Sequence, residues 1–167
     1  MRSRPVVIVS LLSLLGASAC GARSDGTGDE GVGVVESMDT SEAGITAFVR
    51  EGRYRDWVAE PTIHDTRAPH NSKVRVFFND KAVASLRAGN AVHPVGTILV
   101  KEMYAADGTT KKGHAVEVKV AEGPGKDTWI FYEGFTPDYA RNFYGRAHET
   151  CHGCHGAGRD FVTSELP

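Results

Sequence analysis

The five residues Cys151-His152-Gly153-Cys154-His155, close to the carboxyl end of the chain, constrain the protein more than any other feature of the sequence. They read C-x-x-C-H, the pattern by which a c-type haem is attached to a polypeptide. Each thiol can add across a haem vinyl group, and the histidine that follows can bind the iron as an axial ligand. The pattern predicts one covalent haem, held by Cys151, Cys154 and His155, with His155 as the metal ligand.

Two other uses of a C-x-x-C pattern compete with haem attachment. Residues 151–158 also fit C-x-x-C-x-G-x-G, the zinc repeat of DnaJ-type chaperones, but a structural zinc takes about four ligands. The chain has one such repeat, and its only other cysteine is Cys20. A redox-active dithiol is expected at the start of a helix in a βαβ setting, and no such pattern precedes Cys151. Haem attachment is therefore the preferred interpretation.

The amino terminus has the pattern of a bacterial export signal. Two arginines precede an apolar run, Val6–Leu15, which is too short to span a bilayer because a spanning helix needs about 20 residues. Small residues then lead to Cys20 and resemble the lipobox, in which such a cysteine is lipidated. Ordinary cleavage after Ala19 is the alternative. We predict a signal peptide over 1–19 and an exported bacterial lipoprotein, anchored through Cys20 and facing the periplasm or the cell exterior.

Composition divides the rest of the chain into two parts. Residues 20–43 are rich in Gly, Ser, Asp and Glu and cannot bury enough apolar surface to fold, so they predict a flexible tether. Residues 44–167 have the length of one small domain. The formal net charge is −2, and removal of the signal peptide would take away two arginines and no acidic residue. The charge therefore does not suggest a nucleic acid as a partner.

Hydrophobic periodicity in residues 44–167 predicts an α+β fold that is mainly β, with an antiparallel sheet, a few short helices and a C-terminal haem-attachment segment. Helices are expected over Ile45–Gly52, from an Asp80 cap to Leu86, and over Pro137–Tyr144. Strands are expected over Val74–Asn79, Gly96–Tyr104, His114–Ala121 and Thr128–Tyr132. This order argues against the all-helical small cytochromes c, whose motif lies near the amino terminus and is followed by a methionine ligand.

Several segments, in their order along the chain, are similar to the cytochrome P-460 family. They are Tyr54–Trp57, Val74–Asn79, Gly96–Glu102, Cys151–His155 and Arg159–Val162. The resemblance covers most of residues 44–163. It implies a largely β domain that often forms homodimers and carries one c-type haem.

The resemblance also implies a function. The enzymatic members oxidise hydroxylamine, and their haem has an additional covalent bond to a lysine that matches Lys101. By alternation Lys101 shares a strand face with Leu99 and Met103, and spacing alone favours a lysine whose ammonium reaches solvent. A related branch, the cytochrome c-prime-beta proteins, has the same fold and binds gases such as nitric oxide without enzyme activity.

Spacing does not identify the side chains on the distal side of the iron. His64, His70, His93 and His114 are available. Arg146, His148 and Glu149 lead directly into the motif and are the distal candidates. A protonatable group there would act as a general base for a small ligand.

These patterns predict an exported mono-haem cytochrome that oxidises hydroxylamine or a similar small nitrogen species at a five-coordinate haem. A soluble redox partner would accept the electrons. The alternatives are a gas-binding protein for NO or CO and an electron-transfer cytochrome. Electron transfer would need a second protein ligand to the iron, and the only methionine in 44–167, Met103, lies on the same strand as Lys101.

Overall fold

The computed structural model describes residues 34–35, 38–66, 70, 72–140 and 142–167. The predicted signal peptide, Cys20 and most of the predicted tether lie outside the described residues. The strands are β1 Val34–Val35, β2 Met38–Asp39, β3 Val58–Ala59, β4 His64–Asp65, β5 Lys73–Phe78, β6 Ile98–Tyr104, β7 Lys111–Lys119, β8 Trp129–Phe135 and β9 Asn142–Arg146; the helices are α1 Glu42–Glu51, α2 Asp80–Arg87 and α3 Glu149–His155. Among these described elements, no helix combines the length and apolar character that a membrane crossing requires.

The predicted antiparallel sheet is confirmed. Seven strands form it in the order β3-β5-β6-β7-β8-β9, with β4 also paired to β5, and every pairing is antiparallel. Strands β6 and β7 are joined by the expected turn at Asp107-Gly108. The Asp107 carboxylate accepts hydrogen bonds from the N–H groups of Thr109 and Thr110, both at 2.9 Å, and Gly108 takes a left-handed φ of 70°. The fold is therefore α+β and mainly β.

Both faces of the sheet are covered, so its central strands are buried on both sides. The helix face packs against α1 and bears Phe77, Ile98, Val100, Val116, Val118, Ile130 and Tyr132. The opposite face, here named the motif face, packs against α2 and the C-terminal segment and bears Val76, Phe78, Leu99, Lys101, Ala115, Glu117, Trp129, Phe131 and Glu133. The period-two alternation of strands assigns each side chain to one of these two faces.

Short side-chain caps fix where α1 and α2 begin. Ser41 caps α1, because its Oγ accepts a hydrogen bond from the Gly44 N–H at 3.0 Å. The sequence predicted Asp80 as the cap of α2, and this is wrong. The cap is Asn79. The Asn79 Oδ1 accepts hydrogen bonds from the N–H groups of Ala82, at 2.9 Å, and Ile98, at 3.1 Å. The same oxygen therefore caps the first turn of α2 and links this helix to β6. The spacing of residues in the sequence does not reveal this tertiary contact.

The helix predicted over Pro137–Tyr144 is wrong. Residues 136–138 form a turn and residues 142–146 form β9, which extends the sheet beyond β8. Pairing with β8 gives the backbone N–H and C=O groups of this segment their hydrogen bonds. The free energy gained by this pairing outweighs the helical preference that the spacing of the apolar residues suggests. The Tyr144 hydroxyl also donates a hydrogen bond to the Thr40 carbonyl at 2.9 Å.

The described structure includes residues that precede residue 44, the predicted start of the domain. Met38 and Thr40 are buried, and Met38 belongs to the apolar cluster of the helix face. Residues 38–43 therefore pack on the domain, although their composition placed them in the predicted tether.

A buried chain of hydrogen bonds lies at one end of the helix face. The Tyr54 hydroxyl donates to the Glu102 Oε1 at 2.5 Å and also meets the His114 Nε2 at 2.8 Å. Because its one proton goes to Glu102, the His114 Nε2–H must be the donor to Tyr54. The His114 Nδ1 then accepts from the Tyr139 hydroxyl at 2.6 Å. Burial, followed by the nearby charge of Lys111, lowers the pKa of His114 to about 4, so the ring is neutral.

Candidate haem site

Helix α3 carries the C-x-x-C-H motif. Positions three and four apart in a helix share one side, so Cys151, Cys154 and His155 point the same way. His155 is buried, Cys151 is half-buried beside the apolar cluster of the motif face, and Cys154 is exposed. The helix therefore turns His155 and Cys151 towards the sheet, with Cys154 on the exposed side of the same edge.

The ring of His155 is held through one of its two nitrogens. The Nδ1–H donates to the Phe161 carbonyl at 3.0 Å and lies 3.1 Å from the Glu117 Oε1. The Phe131 ring lies edge-on, with ring centres 5.6 Å apart. A metal-bound histidine usually donates its other N–H to a carbonyl or carboxylate, which sets the tautomer and the ring orientation. This arrangement suits iron binding through the Nε2.

The turn that supplies the Phe161 carbonyl has an unusual backbone. Asp160 and Phe161 adopt left-handed φ angles of 45° and 72°, which cost non-glycine residues roughly 1–2 kcal/mol each. Asp160 is held by a 2.7 Å ion pair with Lys119, in which both side chains are almost fully buried, and by the N–H of His93 at 2.9 Å. These contacts stabilise the turn and so position the hydrogen-bond acceptor for His155.

The Lys119 ammonium has a partner for each of its three N–H groups. Besides Asp160 it donates to the Gly123 carbonyl and to the Thr128 Oγ1, both at 2.7 Å. A buried charge is tolerated only when it is paired and fully hydrogen-bonded. Alternation along β7 places Lys119 on the same face as Glu117, but spacing does not show its partner 41 residues further along the chain.

Lys101 lies on the motif face, as its resemblance to the family's crosslinked lysine requires. It opposes Val76 and Ala115 in the sheet and is diagonal to Glu117. Only 8% of Lys101 is exposed, so most of its side chain is buried on the motif face. The C-terminal segment 163–165 lines the space beside Lys101 and covers this part of the face.

Glu117 links this lysine electrostatically to the motif. Burial would raise the pKa of the Glu117 carboxyl, but the charges of His155 and then Lys101 lower it overall. In turn, Glu117 is the main cause that raises the pKa of His155. The three groups therefore form one electrostatic unit beneath α3.

Sequence reasoning missed a polar cluster beside the motif. His70, Glu117 and Glu133 line a small cavity together with Cys151 and His155. Three buried atoms in it, the His70 Nδ1, the Glu117 Oε2 and the Glu133 Oε1, make no hydrogen bond among the described residues, although the first and the last lie 3.4 Å apart as an ion-pair contact. One sequence signal could have revealed this cluster: acidic residues alternate with apolar ones in strands that are buried on both faces. Such orphaned atoms are expected where a bound group completes the site.

The three distal candidates from the sequence do not join this cluster. Arg146 is exposed and opposes Ile130, a residue of the helix face, and Glu149 is also exposed. His148 is half-buried, and its Nδ1 lies 3.9 Å from the Cys151 Sγ. Proximity in sequence to the motif is therefore not proximity to the buried face of His155.

The residues present fit a covalent haem better than the two alternatives. Burial, followed by the charges of Glu133 and Glu117, raises the pKa of the Cys151 thiol to about 12. A redox-active cysteine has a lowered pKa, so a dithiol centre is disfavoured. Within the part of the chain that the structure describes, no group of three or more His, Cys, Asp or Glu could hold a metal ion, which disfavours zinc. Two thiols and an imidazole held at Nδ1 are the donor set of a c-type haem.

Fold and site together define a c-type cytochrome with a mainly β domain. The sequence model of the cytochrome P460 family matches residues 52–163, more than half of the chain, and the chain belongs to this family. The predictions of the family and of haem c as the cofactor are confirmed. Among curated proteins, none matches the chain.

Proposed function

We propose that this cytochrome oxidises hydroxylamine or a similarly small nitrogen species and passes the electrons to a soluble redox partner. One observation supports an enzyme over a gas-binding protein. Lys101, the match to the family's crosslinked lysine, is buried on the motif face and diagonal to Glu117, which contacts His155. The homodimer implied by the resemblance is part of the same proposal.

The bound haem would supply the iron and an electron acceptor, and the chain's own residues would control the protons. Cys151, Cys154 and His155 would hold the group against the motif face. Hydroxylamine loses protons as well as electrons when it is oxidised, and the buried carboxylate of Glu133 would receive them, while Glu117, which contacts the Nδ1 of His155, would orient that ring. The covered motif face limits the access of water to these carboxylates.

The hypothesis that Lys101 bonds covalently to the porphyrin leads to a direct test. Forming the bond would replace one hydrogen on Nζ and one on the ring, a two-electron oxidation that needs an oxidant such as peroxide. In the haem-loaded protein, tryptic mapping should show the peptide with Lys101 joined to the peptide with Cys151 and Cys154. Lys101→Arg keeps the charge beside Glu117 but removes the amine. It should give an ordinary haem c spectrum and lose hydroxylamine oxidation.

Lys112→Arg is the matched control, because Lys112 is an exposed lysine on the neighbouring strand. It should change neither the peptide map nor turnover. A wild-type protein with an ordinary c-type spectrum and a free Lys101 peptide would contradict the crosslink. In that case binding of nitric oxide or carbon monoxide without turnover becomes the better function.

Anchoring through Cys20 is a second testable proposal. The apolar run and the small residues that lead from it to Cys20 favour lipidation, and a lipid anchor would hold the mature protein in the membrane fraction. Cys20→Ser should release it into the soluble fraction without changing its haem content, because the tether carries none of the haem-binding residues. A wild-type protein that is soluble and has an unmodified Cys20 would show that the lipoprotein proposal is wrong.

A further inference from the structure

Glu117 is a buried carboxylate directly beside the imidazole of His155 on the motif face. Only 6% of the residue is exposed, and its Oε1 lies 3.1 Å from the His155 Nδ1. The Phe161 carbonyl oxygen lies 3.0 Å from the same nitrogen. A charged acceptor and a neutral acceptor therefore stand at nearly equal distances from the one N–H that His155 keeps when its Nε2 binds iron.

The charge of Glu117 is not taken up by other hydrogen bonds. Its second oxygen, Oε2, makes no hydrogen bond among the described residues. The buried carboxylate of Glu102 on the helix face is the contrast, because it accepts hydrogen bonds from Tyr54, Tyr104 and Lys111. Three donors thus disperse the charge of Glu102, whereas the charge of Glu117 acts mainly on the ring of His155.

A carboxylate in this position favours the oxidised form of a bound haem. The ferric haem core has a net positive charge and the ferrous core has none, so a nearby negative charge stabilises the ferric form. A carboxylate beside the N–H of a metal-bound imidazole also makes that imidazole a more basic ligand. Both effects lower the reduction potential. A backbone carbonyl has no net charge and produces less of either effect.

We propose that Glu117 lowers the reduction potential of the haem by making His155 a stronger electron donor to the iron. The inference rests on the haem of the proposed function but not on which molecule is oxidised. The haem would rest in the ferric form, which accepts electrons from a nitrogen substrate, and would pass those electrons readily to the redox partner. Glu117 is a positioning residue in this role, because it acts through His155.

The test uses the full chain with its covalent haem and compares Glu117→Gln with the wild type. Glutamine has nearly the same shape and keeps an oxygen that can accept from the His155 N–H, so the variant removes only the charge. The equilibrium constant for reduction should rise about tenfold or more, which corresponds to about 59 mV for one electron. Resonance Raman spectra of the ferrous protein should show a lower iron–imidazole stretching frequency, because the bond to the iron weakens.

Two further variants separate this effect from the general loss of a buried charge. Glu133→Gln is the matched control, since Glu133 is buried on the same face but its ion-pair contact is with His70. It should change the potential less and leave the iron–imidazole frequency unchanged. Glu117→Asp keeps the charge but withdraws it from the ring, so both quantities should be intermediate. It also keeps the proposal testable if Glu117→Gln does not fold.

An iron–imidazole frequency that is the same in Glu117→Gln as in the wild type would overturn the inference, because the carboxylate would then not act through the ring. A potential that falls, or that rises no more than in Glu133→Gln, would overturn it as well. Failure of the proposed function has a different signature: both quantities shift as expected, but no form of the protein oxidises hydroxylamine.

Discussion

Replacing both Cys151 and Cys154 by alanine should abolish covalent haem. The thioether bonds are the only links that survive denaturation in a protein without the Lys101 bond, so the intact mass should fall to that of the polypeptide. If the Lys101 bond forms even without the thioethers, it would also hold the haem through denaturation. The two cysteines are then replaced in the Lys101→Arg variant, in which the thioethers are the only covalent links, and the same fall in mass is expected. His155→Ala should keep the covalent haem but lose the axial bond on that side, which absorption spectroscopy detects.

His152→Ala is the control for this experiment. It changes the same helix between the two cysteines and should retain stoichiometric haem, because its ring is not needed for attachment. Protein made with haem-maturation machinery that contains stoichiometric zinc and no haem would contradict the assignment of the motif.

Lys119→Met should destabilise the protein by about 3–5 kcal/mol, the usual cost of leaving one member of a buried ion pair without its partner. The Asp160 carboxylate would remain buried, and the left-handed turn at Asp160 and Phe161 would lose a main restraint. Urea unfolding followed by circular dichroism measures the loss. The haem spectrum should also change, because the Phe161 carbonyl would no longer be held beside His155.

The double variant Lys119→Met/Asp160→Asn provides the matched comparison. Asparagine tolerates a left-handed backbone and carries no charge, so it removes the unpaired carboxylate without adding strain. It should recover more than half of the lost stability. If Lys119→Met alone costs less than about 1 kcal/mol, as an exposed ion pair would, the buried pair does not hold the turn.

The elements that the sequence predicted well are those with strong local patterns. The alternation of Val116 and Val118 with Glu117 and Lys119 identified β7, and the motif at Cys151–His155 identified the cofactor. The segment 137–144 was assigned to a helix because its apolar spacing is ambiguous, and only the free edge of β8 makes it a strand. Local pattern therefore decided the fold class but not every element.

The surroundings of the motif were less accessible to sequence reasoning. His70, Glu117 and Glu133 come from separate segments, and only the register of the sheet and the packing of α3 bring them together. Likewise, Lys119 in β7 forms an ion pair with Asp160 in the C-terminal segment. Charged residues on a strand usually indicate a solvated face, and here that expectation fails because the C-terminal segment covers the motif face.

The hydrogen-bonded chain on the helix face makes the domain sensitive to acid. His114 is neutral when folded because its pKa is about 4, whereas the unfolded chain has the ordinary value of 6.5. Below pH 6.5 the unfolded state therefore binds more protons, and folding becomes less favourable as the pH falls towards 4. The effect of this one ring amounts to about 3 kcal/mol over that range. A charged His114 could no longer accept the hydrogen bond of Tyr139, so the links to Tyr54 and Glu102 would have to rearrange.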